Sequence, residues 1–304
     1  MSDLVWSRDG SDWPHREASQ FVAAAGIRWH VQRMAPPSGD APAILLVHGT
    51  GAASHSWRGL MPILARHFTV IAPDLPGHGF TQSPLSHRLS LPGMAADLGG
   101  LLRGLGVAPQ VVVGHSAGAA ILARMCLDGA IAPDLLVSLN GAFLPYGGHA
   151  AHLFSPLAKL LVLNPFVPRI FAWQAMVPGS VERLIANTGS QIEPTGIALY
   201  GKLIRSPAHV GAALRMMANW QLEPLLQAMP QLATRLLLVT ADRDRAIAPA
   251  EALRLKQIQP AALIENLTGL GHLAHEERPQ LIADLVLRYA AQAAQPGDNA
   301  LTVS

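Results

Sequence analysis

Short apolar runs punctuate the chain, each followed by a turn and most then by a helical pattern. The runs are Ala43–Val47, 68–72, Val111–His115, Leu135–Leu139, 235–240 and 261–267, and they show little polar alternation. Runs of this length and composition predict strands buried on both faces. Upstream, Ser19–Ala24 and Ile27–Met34 flank Ala25-Gly26 and predict a β-hairpin. Apolar residues recur at helical spacing over Leu91–Leu105, Ala117–Leu127, 249–258 and 279–291. Strands alternating with helices predict an α/β fold, with a mostly parallel central sheet covered by helices on both faces.

The alternation breaks between Gly141 and Met229. Prolines recur there, the apolar patterns read as helical, and no strand is predicted. The expected organisation is therefore a core from residues 1–140 and 230–304 with a helical lid insertion at 141–229. Residues 141–181 carry only Lys159 and Arg169 as charges, which predicts a lid that closes an apolar pocket and keeps an apolar, mildly basic outer face.

Composition narrows the function. Of 304 residues, 50% are hydrophobic and 14% are charged, which excludes a disordered chain. No uncharged run is free of prolines and glycines over the length of a membrane span. The polar N-terminus lacks the apolar segment of a secretory signal, so a cytoplasmic protein is expected. A single cysteine, Cys126, excludes an internal disulfide and a thiolate metal cluster. Net charge is +2 without a basic run, so no nucleic-acid partner is expected.

The chemistry concentrates at Gly114-His115-Ser116-Ala117-Gly118, between an apolar run and a helix rich in small residues. This is the G-x-S-x-G elbow in its required context, and it makes Ser116 the candidate nucleophile. A serine hydroxyl needs a base, and Gly271-His272 lies between the last predicted strand and the C-terminal helix. His272 is the candidate base; His275 is assigned to the loop wall or the following helix. The acid is expected in the loop after residues 235–240, where Asp242 and Asp244 both have the right chemistry. For an oxyanion hole the amide of Ala117 is the first donor, and the loop His48-Gly49-Thr50-Gly51 supplies Thr50, with Gly51 next. His48 is expected to brace that loop. Phe143, Trp173, Met176 and Trp220 are candidate substrate contacts, set against the plain alternative that such residues pack helices together. His149, His152 and His209 lack the spacing of a helical zinc site, so neither a metal ion nor a cofactor is expected.

These motifs, with Pro73-Asp74-Leu75-Pro76-Gly77-His78-Gly79, resemble the α/β-hydrolase fold superfamily. The resemblance favours Asp244 as the acid, because Ala241-Asp242-Arg243-Asp244 matches the family's short G-x-x-D pattern with alanine for glycine. Serine at 116 argues against the dehalogenase and epoxide-hydrolase branches, which use an aspartate nucleophile. A narrower resemblance lies in Asp12-Trp13-Pro14-His15-Arg16-Glu17, Arg28-Trp29-His30-Val31-Gln32 and His55-Ser56-Trp57-Arg58. These look like the magnesium-chelatase accessory proteins of bacteriochlorophyll biosynthesis. That resemblance implies an apolar ligand such as protoporphyrin IX or its magnesium form, and magnesium-chelatase subunits as partners; the apolar, mildly basic outer face of the lid is what suggests peripheral membrane contact. The alternatives are a serine esterase, or another cofactor-free hydrolase, of a different apolar substrate, and a non-catalytic tetrapyrrole-binding protein that has kept an inherited triad.

Overall fold

The computed structural model describes residues 3–37, 39–145, 164 and 166–295. Eight strands form one sheet: β1 (Ser19–Ala24), β2 (Ile27–Met34), β3 (Ala43–Val47), β4 (Thr69–Pro73), β5 (Val111–His115), β6 (Leu135–Leu139), β7 (Arg235–Ala241) and β8 (Leu263–Leu267). Their spatial order is β1-β2-β4-β3-β5-β6-β7-β8. The hairpin β1–β2 is antiparallel and β2 joins β4 antiparallel, while every pairing from β4 to β8 is parallel.

The apolar runs follow from burial on both faces. Along β3, Leu45 and Val47 enter one core cluster, while Ile44 and Leu46 enter the other. The first cluster is closed by α3 (Leu91–Leu105) and α4 (Ala117–Leu127). The second is closed by α2 (Met61–Leu64) and α12 (Pro279–Ala293). A further short helix, α1 (Trp6–Asp9), precedes the sheet.

Between β6 and β7 the described residues form helices without a strand: α5 (Phe166–Gln174), α6 (Ser180–Asn187), α7 (Pro194–Ile204), α8 (Pro207–Ala218) and α9 (Glu223–Ala228). Helices α10 (Ala250–Ile258) and α11 (Ala274–Glu277) follow β7 and β8. The N-terminal Asp12-Trp13-Pro14 segment joins this helical region to the sheet. Trp13 is buried with Phe80, Leu199 and Leu203, and its Nε1 donates to Ser54 Oγ at 3.2 Å. Asp12 pairs with Lys202 of α7.

The strand order reverses between β3 and β5, which opens a crevice beyond their carboxyl ends. Ligands of open α/β sheets bind at such switch points. The loop after β3 and the turn after β5 meet there. The segments after β7 and β8 end on the same side because all four strands are parallel.

Candidate active site

Ser116 sits between β5 and α4 with φ 51° and ψ −119°, a conformation that costs a non-glycine residue strain of about 1–3 kcal/mol. The flanking glycines make the turn possible. A Cβ at Gly114 would lie 2.4 Å from the Ala119 nitrogen, and one at Gly118 would lie 2.2 Å from the Val47 carbonyl oxygen. The strained turn is fixed by Ser116 N donating to Leu139 O at 3.0 Å, and by Ser116 O accepting from Ala142 N at 3.1 Å.

The candidate acid and base are brought together. His272 Nδ1 donates to Asp244 Oδ2 at 2.8 Å, and the Asp244 side chain is 1% exposed. Asp244 is otherwise saturated: Asn140 Nδ2 donates to Oδ2 at 2.8 Å, and the amides of Ala246 and Ile247 donate to Oδ1 at 2.7 and 2.9 Å. Such donors fix the carboxylate in direction. Asp242 is exposed, and its Oδ1 accepts from Gly269 N at 2.7 Å, which ties down a turn. Among the described residues no hydrogen bond joins Ser116 Oγ to His272.

Around the nucleophile, a Cβ at Gly49 would lie 2.9 Å from Ser116 Cβ, so the loop after β3 presses against the elbow. The amides of Thr50, Gly51 and Ala117 have no acceptor among the described residues. Unpaired amides are the kind of donor that a tetrahedral oxyanion requires. The loop is braced as expected by His48, whose Nδ1 donates to Gly49 O at 2.8 Å and whose Nε2 accepts from Leu75 N at 2.9 Å. A second brace comes from α8: His209 Nε2 donates to Gly51 O at 3.1 Å, while its Nδ1 accepts from Gly79 N at 3.0 Å. Thr50 Oγ1 also points to Met216 Sδ of α8 at 3.6 Å.

Several functional neighbours are not apparent in the sequence. Asn140, at φ 49° after β6, orients the acid. His115 donates from Nε2 to the His272 carbonyl at 2.9 Å and links the elbow to the base loop. His275 is buried in α11, where its Nε2 meets Ser56 Oγ at 2.8 Å. Beside it Glu276 is fully enclosed by Arg58, Ser56 and Tyr200. Burial pushes the Glu276 pKa up, although Arg58 and the hydroxyl donors oppose it.

The expected substrate contacts separate. Phe143 is buried and lines a small cavity with Asn140 and Asp244, and Trp220 packs partly buried against the sheet core. Trp173 and Met176, by contrast, are 61% and 57% exposed and line neither cavity bordering Asp244. In α5 the small or compact Pro168 and Ala172, four residues apart, face inward, which turns the large side chains outward. Phe166, Ile170, Phe171, Val177 and Leu184 are exposed as well. Lys159, His149 and His152 lie outside the described residues. Among the described residues, no group of three or more His, Cys, Asp or Glu side chains is placed to hold a metal, and no helix is long and apolar enough to cross a membrane.

A family model described as the alpha/beta hydrolase family matches residues 44–285. The chain belongs to this family. Among relatives, it is 36% identical over 277 residues to the magnesium-chelatase 30 kDa subunit of Rhodobacter capsulatus, covering 91% of this chain and 96% of that protein. Among solved structures, an enol-lactonase from Burkholderia xenovorans LB400 superposes with a TM-score of 0.71 at 21% identity, covering 90% of this chain and 100% of the other. A thermophilic esterase from Thermogutta terrifontis gives 0.70 at 21% identity, covering 91% and 99%. At that identity the two enzymes speak for the fold alone. Within this hydrolase fold, the G-x-S-x-G turn and the segments carrying Asp244 and His272 follow β5, β7 and β8.

Burial of neutral histidines has a consequence for stability. His48, His55, His78, His115, His209 and His275 are all enclosed, and desolvation lowers each pKa from the ordinary 6.5, to about 4 for His209 and about 3 for His275. Folded pKa values below the unfolded ones mean that the unfolded chain binds more protons in the window between them. Stability is therefore complete above about pH 6.5 and falls as pH drops towards 4. The urea midpoint is expected to decline steeply from about pH 7 to about pH 5. A flat profile over that range would show that these rings are not held neutral.

Proposed function

We propose that this hydrolase-family protein uses Ser116, His272 and Asp244 in acyl transfer on an apolar, tetrapyrrole-type ester or related ligand, in an accessory role alongside magnesium chelatase. The observation that supports the chemistry is the buried Asp244–His272 hydrogen bond, together with the strained elbow conformation of Ser116. The similarity to a magnesium-chelatase subunit over nearly the whole of both chains supports the biological setting.

In this reading Ser116 Oγ attacks the ester carbonyl carbon as its proton passes to His272 Nε2. Asp244 fixes the imidazole tautomer and stabilises the imidazolium. The amides of Ala117 and of Thr50 or Gly51 bind the oxyanion. Collapse expels the alcohol, which takes the proton from His272. Water, deprotonated by the same imidazole, then cleaves the acyl-enzyme to the acid and regenerates the serine. Residues 141–229 act as the lid, with Phe143 and Trp220 on its inner side. The exposed Phe166, Ile170, Phe171 and Trp173 with Arg169 support peripheral membrane contact.

A second reading is favoured by the missing Ser116–His272 hydrogen bond and by a relative named as a subunit: a tetrapyrrole-binding protein with an idle triad. Titration with protoporphyrin IX and its magnesium form, followed by absorbance, separates the readings when run beside an activated-ester assay. The proposal expects saturable binding together with ester hydrolysis. Binding without hydrolysis supports the second reading, and hydrolysis without binding points to an esterase of another apolar substrate.

A further inference from the structure

The insertion reaches the acid and base through one turn between α6 and α7. The Thr188 carbonyl accepts from Arg245 N at 3.1 Å and from His272 N at 3.4 Å. Ser190 Oγ, buried at 2% residue exposure, accepts from Leu273 N at 2.8 Å and from Thr188 Oγ1 at 2.9 Å. Between them Gly189 holds φ 85°, and a Cβ there would stand 1.8 Å from the Arg243 carbonyl oxygen. From the other side, a Cβ at Gly271 would stand 2.4 Å from the Gly189 carbonyl carbon. Glu277 closes the ring, accepting from Gly271 N at 2.8 Å and from Gln191 N at 3.2 Å.

The residues on both sides of Asp244, namely Arg243 and Arg245, therefore touch this turn. So do the residues on both sides of His272, namely Gly271 and Leu273. The strand pairing of β7 with β8 ends at Ala241 and Leu267, short of both side chains. Past it the two loops are joined by Asp242 N to Leu267 O at 3.0 Å, Gly269 N to Asp242 Oδ1 at 2.7 Å, Arg243 N to Leu270 O at 2.9 Å and the Asp244–His272 bond itself. The turn adds to these a contact with the flanks of both Asp244 and His272.

We propose that Thr188-Gly189-Ser190 is a positioning element for the acid–base pair, so that the insertion sets the triad's geometry as well as covering the site. The proposal rests on the hydrolase reading above for its kinetic consequence, and on geometry alone for its structural one. Gly189 is needed twice over, for its positive φ and for the close approach of Arg243. Ser190 is needed for its hydroxyl, since Leu273 N would otherwise be buried without an acceptor.

The test compares Gly189→Ala, Ser190→Ala, Ser190→Thr and, as a surface control in the same insertion, the half-exposed Leu184→Ser. Three readouts are taken: the rate of Ser116 modification by a fluorophosphonate, the low-field proton resonance of the His272–Asp244 bond, and the thermal midpoint. Gly189→Ala is expected to slow modification by about 100-fold, the scale of a misplacement of about 1 Å. It should also shift or remove the low-field resonance, and the control should change neither. A folded Gly189→Ala with both readouts unchanged overturns the proposal. If that variant does not fold, the Ser190 pair decides: loss of the resonance in Ser190→Ala and its return in Ser190→Thr support the role, whereas an unchanged resonance in Ser190→Ala overturns it. If the unaltered protein is not modified by the probe, the hydrolase reading fails, and the resonance still decides the role of the turn.

Discussion

Ser116→Ala is expected to reduce ester hydrolysis by a factor on the order of 10⁶, the scale seen when a triad nucleophile is removed and only oxyanion binding remains. The loss should be in turnover, because the side chain is small and sits at the start of α4 without bonding a ligand-holding group. Tetrapyrrole binding should survive the change. The fold should survive too, since alanine keeps the Ser116 N and Ser116 O backbone bonds that hold the elbow. Alanine at φ 51° is itself strained, so a somewhat lower thermal midpoint is expected beside an intact far-UV spectrum. A variant that keeps a substantial part of the hydrolysis would remove Ser116 from the mechanism.

Asp244→Asn is expected to cost about 10⁴ in turnover, because an amide in this place favours the wrong imidazole tautomer and cannot balance the imidazolium. The environment sharpens the effect. Asp244 Oδ2 accepts from both His272 and Asn140, and Oδ1 accepts from two backbone amides. An asparagine NH2 would have to face one of these donor sets. Asp242→Asn, by contrast, alters an exposed carboxylate whose recorded bond is to Gly269 N, and should leave turnover within about twofold. Steady-state kinetics on the two purified variants distinguish the carboxylates. A damaging Asp242→Asn beside a mild Asp244→Asn would reverse the assignment.

The strands were readable because each of β3, β5 and β6 is buried on both faces and so has no polar alternation to obscure it. The elbow was readable because its glycines and serine stand at a fixed short spacing between an apolar run and a helical one, even though Gly118 answers to Val47 of the distant β3. The acid was only half readable. Asp242 and Asp244 differ by which way a loop turns, and residues alone left them equal until the family resemblance was weighed. Asn140 was hidden because it reads as a break in an apolar run, whereas its role comes from a partner 104 positions away. Ser190 and His209 were hidden in the same way, since Leu273 is 83 positions from Ser190 and Gly51 is 158 from His209. The facing of α5 could not be inferred either. Apolar side chains lie on more than one side of it, and which of them turn inward, Pro168 and Ala172, depends on packing outside the helix.

The account depends most directly on whether the folded protein activates Ser116. Intact-mass analysis after exposure to a fluorophosphonate, with peptide mapping of the product, measures this without knowledge of the natural substrate. The account predicts one added phosphonyl group, located on Ser116 and absent in Ser116→Ala. An unchanged mass after prolonged exposure of folded protein would contradict it and leave the triad as an idle inheritance.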